Sequence, residues 1–170
     1  LAAGSGTVAR LIAAHRYLDA KAALPAAVSD PDGTLEARLA AEHAYLDALA
    51  AFPRALAARL QAAPDAPREL VTKQGTGTLT AVGDGERKVE LGGVSMTLAW
   101  PEVAPKAVAR LALRAFDGAP SQDVLPLLAF CVAHGLEASF WEASLGVDLA
   151  GRPIAEENLV RDLEARLSSR

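Results

Sequence analysis

The segment from Gly75 to Trp100 places the strongest constraint on how this chain can fold. It contains three runs in which apolar and polar residues alternate, and short glycine-containing turns separate the runs. This pattern is typical of antiparallel strands joined by tight turns. Alternate positions in the last run share one face of a strand, and they are Val94, Met96, Leu98 and Trp100. The segment therefore predicts a three-stranded antiparallel meander with one apolar side.

An apolar sheet face is unfavourable in water, so the flanking regions have to cover it. The residues on both sides of the meander show helical periodicity, and we expect their helices to pack on the face that holds Leu98 and Trp100. The predicted fold is α+β and mainly helical. Its parts are an alanine-rich helical hairpin with an internal repeat (1–63), the three-stranded antiparallel sheet (68–101) and a C-terminal helical bundle (104–170). We expect one compact unit cut from a longer chain.

Composition and charge argue against several classes of protein. Of the 170 residues, 51% are apolar but only 5% are aromatic, which is typical of packed helices rich in Ala and Leu. The net charge of −4 comes without a basic cluster, which argues against nucleic-acid binding. No apolar run approaches the roughly 20 residues that cross a bilayer, so no membrane span is predicted. One cysteine cannot form an internal disulfide, so the cysteine count does not identify the cellular compartment, and the cytoplasm is slightly favoured.

The first third of the chain contains an internal repeat. Residues 9–25 align without gaps on residues 37–53, and twelve of the seventeen positions are identical. The spacing of about 28 residues suits a helical repeat unit. Each copy predicts one helix, the two helices are expected to pack antiparallel, and Pro25 and Pro53 should each end or kink a helix. The inward face of the first helix is predicted to hold Val8, Leu11, Ile12, His15, Leu18 and Ala22.

The pattern after the meander predicts about four helices. Pro105 suits the first turn of a helix, and Gly135 is predicted to be the left-handed residue that ends a helix. A final helix is predicted from Ile154 to Leu167. These helices supply the C-terminal bundle.

Two stretches resemble known helical repeats. Residues 14–20 are similar to the turn and second helix of a tetratricopeptide unit, with His15 where that family usually has Gly, and residues 133–143 look like a degenerate helix–Gly–helix unit of that kind. The whole layout is also similar to helical and β accessory extensions of large bacterial multidomain proteins, some of them next to Ser/Thr kinase domains. The resemblance implies a non-catalytic accessory segment and brings no motif of known role.

Paired His and Asp residues are the clearest candidates for chemistry. His15 with Asp19, and His43 with Asp47, are spaced i, i+4, so each pair is expected on one helix face. If the two helices pack antiparallel, the four side chains can converge as metal ligands do in helical bundles. The alternative is structural, with each Asp orienting its own His through a hydrogen bond.

No other motif indicates catalysis or a cofactor. The Gly75–Thr80 run lacks the Gly-Lys-Ser/Thr ending of a phosphate loop, and no helix follows it. Cys131 lies in an apolar helix, which favours inert packing over a nucleophilic role. No cofactor is predicted.

Three large aromatic residues are candidates for an interaction surface, namely Trp100, Phe140 and Trp141. Core packing is their default, but partial exposure would mark a groove for a peptide or a neighbouring domain. The leading hypothesis is a non-catalytic protein-interaction or scaffolding segment, whose partner is another protein or another domain of the same polypeptide. The alternative is a metal- or small-ligand-binding helical domain that uses the His/Asp pairs. An enzyme whose site is completed by another domain also stays open.

Overall fold

The computed structural model describes residues 2–28, 30, 32–62, 68–72, 75–82, 86–91, 93–99, 102–117, 119–145, 147 and 153–169. The helices are α1 (Ala2–Ala13), α2 (Tyr17–Ala22), α3 (Thr34–Ala62), α4 (Pro105–Ala115), α5 (Ser121–Ala133), α6 (Glu137–Ser144) and α7 (Ile154–Ser168). The strands are β1 (Glu69–Thr72), β2 (Gly75–Val82), β3 (Glu86–Leu91) and β4 (Val94–Ala99). The predicted α+β, mainly helical class is confirmed.

The sheet has four antiparallel strands in the order β1-β2-β3-β4, so the predicted three-stranded count is short by one. Strands β2, β3 and β4 form the expected meander. The additional strand is β1, which pairs with β2 so that Leu70 lies opposite Gly77. Four residues are too few to give a distinct period-two signal, although burial does alternate along β1. Gly93 has a φ of 83° in the tight β3–β4 turn, a conformation that glycine adopts without steric cost.

One face of the sheet is covered by helices. Its buried side chains belong to the same hydrophobic cluster as those of the helices, and α4 packs against β1. Met96 is only partly buried, and Val94 is 65% exposed although the alternation places it on the apolar side. Trp100 lies outside the described residues. The buried apolar side chains of this face are Leu70, Leu79, Val89 and Leu98.

The two copies of the repeat fold differently, which corrects the prediction of one helix for each copy. The first copy breaks after Ala13 and resumes as α2 at Tyr17, so the expected single inward face does not form and Leu18 is 72% exposed. The second copy is part of α3, which continues through Pro53 to Ala62. A proline inside a helix removes one backbone hydrogen bond. Burial of the neighbouring apolar side chains on α3 offsets that loss, since Phe52, Leu56 and Leu60 are at most 4% exposed.

Helix α5 forms the centre of the helical core. It packs on α3, α4, α6 and α7, and every residue from Leu127 to Val132 is buried. The rings of Phe52 and Phe130 stack with centroids 4.2 Å apart, which joins α3 to α5. No helix among the described residues is long and apolar enough to cross a membrane.

Candidate functional site

The α1–α2 and α5–α6 turns have the same backbone geometry. His15 has a φ of 57° and Gly135 a φ of 64°, and each is the left-handed residue that ends a helix. The amide of the next residue reaches back to the helix in both turns, from Arg16 to Leu11 at 2.8 Å and from Leu136 to Cys131 at 2.9 Å. The dihedral angles of Arg16 (−94°, 64°) and Leu136 (−96°, 65°) also agree.

His15 occupies a position that favours glycine. A residue with a Cβ atom adopts the left-handed backbone conformation at a cost of about 1 kcal/mol, and contacts elsewhere in the structure have to offset that cost. Gly135 carries no such cost at the matching position.

The His15 ring belongs to a hydrogen-bonded group that we call the histidine–tyrosine cluster, made of His15, Tyr17 and His134. The Tyr17 hydroxyl is 2.8 Å from His15 Nδ1 and 2.9 Å from His134 Nε2. The two imidazole rings stack with centroids 4.6 Å apart. Because a hydroxyl carries one proton, it donates to one of these nitrogens and accepts from the other. The cluster joins the α1–α2 turn to the end of α5.

The predicted metal ligands are not brought together. His15 lies in the turn before α2 while Asp19 lies within α2, so the first pair does not share a continuous helix face. Asp19 instead forms an ion pair with Arg16 at 2.7 Å, and Asp47 forms one with Lys21. His43 Nε2 donates to the Pro25 carbonyl at 2.9 Å.

The geometry also does not suit a new metal centre at the histidine–tyrosine cluster. Ring nitrogens bind a metal in the plane of the imidazole, whereas the rings of His15 and His134 are stacked at 21° to each other and direct their lone pairs along nearly parallel planes. Among the described residues there is no group of three or more His, Cys, Asp or Glu placed to hold a metal ion.

Cys131 is buried in α5, and burial raises the pKa of its thiol to about 12. The reactive form of cysteine is the thiolate, which is not populated at neutral pH with such a pKa. The geometry therefore agrees with a packing role for this residue.

An open cleft of about 520 Å³ lies between α4, α5 and α6. Buried apolar side chains form its floor, and they are Phe116, Val124 and Leu127. Leu145 lines the cleft just beyond the end of α6, and it is 89% exposed. The cleft thus combines an apolar floor with an apolar side chain that no described neighbour covers.

Three exposed charged side chains line the same cleft, namely Arg114, Asp117 and Glu142. Within the described part of the chain, none of them forms an ion pair. Elsewhere on the helices, charged side chains do pair, as Arg59 does with Asp123 at 2.7 Å. The charges of the cleft are therefore available to a ligand.

A second groove, of about 350 Å³, lies between α3 and α5. Its wall on α3 consists of the small residues Ala55, Ala58 and Ala62, and the Arg59–Asp123 ion pair lies across it. Phe116, which follows α4, lines both depressions.

The aromatic candidates separate into buried and exposed residues. Phe140 is fully buried, so its side chain belongs to the core and cannot touch a partner. Trp141 is 43% exposed and packs edge-on against Phe140 with ring centroids 5.2 Å apart. Leu145 follows Trp141 by one helical turn, so the two lie on the same side of α6.

The sequence reasoning missed the charged residues and Leu145 at the cleft. The sequence did contain a signal for Leu145. It follows Trp141 by four positions, so the two form an apolar stripe on a helix face other than the face that packs in the core. The charged residues gave none, because their convergence depends on how α4 and α6 pack on α5.

Comparisons of this chain with models of protein families, with curated proteins and with solved structures find no match. Any conclusion about function therefore depends on the geometry of the chain itself.

Proposed function

We propose that this chain is a non-catalytic protein-interaction or scaffolding segment that binds a partner in the cleft between α4, α5 and α6. The partner is another protein or another domain of the same polypeptide. The observation that carries the proposal is the almost fully exposed Leu145 at the edge of a cleft with an apolar floor. An exposed apolar residue beside a concave surface is typical of a binding site.

The charges of the cleft restrict the chemistry of the partner. Asp117 and Glu142 supply two negative charges, and Arg114 supplies one positive charge. A partner segment that places a Lys or Arg beside an apolar anchor complements this arrangement, because the anchor contacts Leu145 and the cation meets the two carboxylates. The site is therefore proposed to bind an apolar and basic peptide segment.

The alternative, a metal site made of the two His/Asp pairs, gains no support from any observed contact. The carboxylates of both pairs are engaged by Arg16 and Lys21. The interaction function is accordingly the one that we put forward.

The test is a selection of random 12-residue peptides displayed on phage against the whole chain, followed by titration of the selected peptides. Selected sequences are expected to share an apolar residue next to Lys or Arg. Leu145→Lys removes the apolar contact and adds a repelling charge, so it is expected to weaken binding at least about tenfold. Ile154→Lys is the matched control, since Ile154 is 74% exposed but does not line the cleft.

Selected peptides without the apolar and basic pattern would contradict the proposal. So would equal binding by the chain with Lys at position 145 and by the unchanged chain. Thermal melting of both variants checks that neither substitution acts through unfolding.

A further inference from the structure

The two edges of the sheet differ in a way that points to an interface. Strand β1 has four residues, begins with Glu69 and packs against α4. Strand β4 forms the opposite edge, and its six residues, VSMTLA, include neither a charge nor a proline. Natural sheets protect long edges with charges, prolines, bulges or a covering element, because the free backbone groups of an edge pair readily with another strand. Strand β4 has neither a charge nor a proline, and its regular register with β3 shows no bulge.

The outward backbone groups of β4 can be assigned from the hairpin register. Leu91 and Val94 close a two-residue turn, and the closing pair of such a hairpin exchanges both backbone hydrogen bonds. Hydrogen-bonded pairs alternate with non-bonded pairs along an antiparallel ladder, so the amides and carbonyls of Ser95, Thr97 and Ala99 point away from β3. In the described part of the chain, the backbone groups of these three residues bond to no helix, turn or loop.

We propose that a second copy of this chain pairs with β4 along this edge, antiparallel, to form a continuous eight-stranded sheet across a two-fold axis. The outward groups fix the register. Thr97 lies on the axis and exchanges both hydrogen bonds with Thr97 of the second copy, so Ser95 pairs with Ala99 and Met96 lies opposite Leu98. The two-fold axis is perpendicular to the sheet, so both copies keep their apolar faces on the same side.

The chemistry of β4 favours its own copy as the occupant. Met96 is only partly buried within one chain although it points to the covered side of the sheet, and the pairing places it beside an apolar Leu98. On the other face, Thr97 lies opposite Thr97 of the second copy and Ser95 lies opposite Ala99, so the paired residues are all uncharged. The nearest like charges lie on β3, where Lys88 is opposite Thr97, Glu90 is opposite Ser95 and Glu86 is opposite Ala99. In the proposed register, Lys88 of the two copies, and likewise Glu90 of one copy and Glu86 of the other, lie three strand spacings apart, about 14 Å, where salt screens their repulsion.

The test uses charge at the two-fold axis, with the mass of the chain in solution measured by sedimentation velocity. The unchanged chain is expected to dimerise. Thr97→Lys and Thr97→Glu each place like charges opposite one another, so each variant alone is expected to dimerise about fivefold more weakly. An equimolar mixture of the two places Lys opposite Glu and is expected to restore a dimer that contains one of each.

Thr78→Lys is the matched control, because Thr78 is exposed on the same face but lies on interior strand β2 between Glu69 and Glu90. It is expected to dimerise like the unchanged chain. Thr97→Glu faces Lys88 within its own chain, so that variant retains its fold, and circular dichroism verifies this. A chain that stays monomeric at about 100 µM, well above the Kd of a micromolar dimer, would overturn the proposal. So would a dimer unaffected by both charges, or a mixture that stays monomeric.

Discussion

The imidazole rings of His15 and His134 stack with centroids 4.6 Å apart, and the hydroxyl of Tyr17 is hydrogen-bonded to both. Tyr17 and His134 are 117 positions apart in the sequence, so the contact ties the N-terminal turn to the end of the central helix α5. The stack also explains why a histidine stands at a left-handed position, since its ring contacts hold the turn that its backbone would otherwise disfavour.

The backbone cost at His15 can be measured by comparing two truncations. His15→Ala and His15→Gly both remove the ring, but only Gly relieves the positive φ of 57°. The Gly variant is therefore expected to be more stable than the Ala variant by about 1 kcal/mol in urea unfolding. At Arg16, whose φ is −94°, the same pair of substitutions should give the opposite order, with Ala the more stable. Equal stabilities at position 15 would contradict the assignment of strain. Gly135→Ala, at the matching turn, is expected to lose about 1 kcal/mol.

The repeat provides a comparison between two equivalent leucines. Leu46 is fully buried on α3, whereas Leu18 is 72% exposed on α2. Leu46→Ala is expected to lower the free energy of unfolding by about 2–5 kcal/mol, because it leaves a cavity in the core. Leu18→Ala is expected to change it by less than about 0.5 kcal/mol. Chemical denaturation of both variants measures the difference, and similar losses at the two positions would mean that the first copy packs like the second.

Arg166 attaches the last helix to α3. Its guanidinium pairs with Asp162 at 2.6 Å and Glu42 at 3.0 Å and lies over the Tyr45 ring at 4.7 Å. Burial lowers the pKa of Arg166, but the hydrogen bonds and charges of Asp162 and Glu42 outweigh burial and raise it above the ordinary value. Arg166→Ala is expected to destabilise the chain by about 1–3 kcal/mol, since it leaves Glu42 and Asp162 without their shared partner.

Arg161 is the control for that substitution, because it forms an exposed i, i+4 pair with Glu157 at 3.0 Å. Arg161→Ala is expected to cost less than about 0.5 kcal/mol. Thermal melts that show equal losses for both arginines would argue that α7 does not depend on the Arg166 contacts.

Cys131 gives the chain a dependence on alkaline pH. Its pKa is about 12 in the folded chain and about 9.0 when exposed, so between these values the unfolded chain loses a proton that the folded chain keeps. Stability from this residue is therefore complete below pH 9 and declines above it by about 1.4 kcal/mol per pH unit, until about pH 12. Cys131→Ala should remove this decline, which urea unfolding at pH 8 and pH 10 would reveal.

A thiol reagent should modify Cys131 only in denaturant, and rapid labelling of the folded chain at pH 8 would disprove its burial.

Local patterns were sufficient for many of the elements. Alternation along Val94, Met96 and Leu98 predicted β4, and glycine at position 135 predicted the turn between α5 and α6. The strand β1 was missed because it is short. Val94 is exposed on the apolar side of the sheet, so period-two alternation predicts which face a residue lies on but not whether a helix buries it. The cleft was missed because Arg114, Asp117, Glu142 and Leu145 converge only through helix packing.

By itself, the sequence determined the class of fold, the meander and most helix boundaries, because these depend on hydrophobic period, proline and glycine within a few residues of each other. Tertiary structure decided which copy of the repeat remained a helix. The two segments, identical at twelve of seventeen positions, gave a continuous α3 and a broken α1–α2 unit. Helix α3 packs along α5 through Phe52, where the first copy has Leu24, whereas the first copy is held at its turn by the ring of His134. The free energy of such distant contacts exceeds the small local preferences that a repeat shares, so the shared histidine is left-handed at position 15 and helical at position 43.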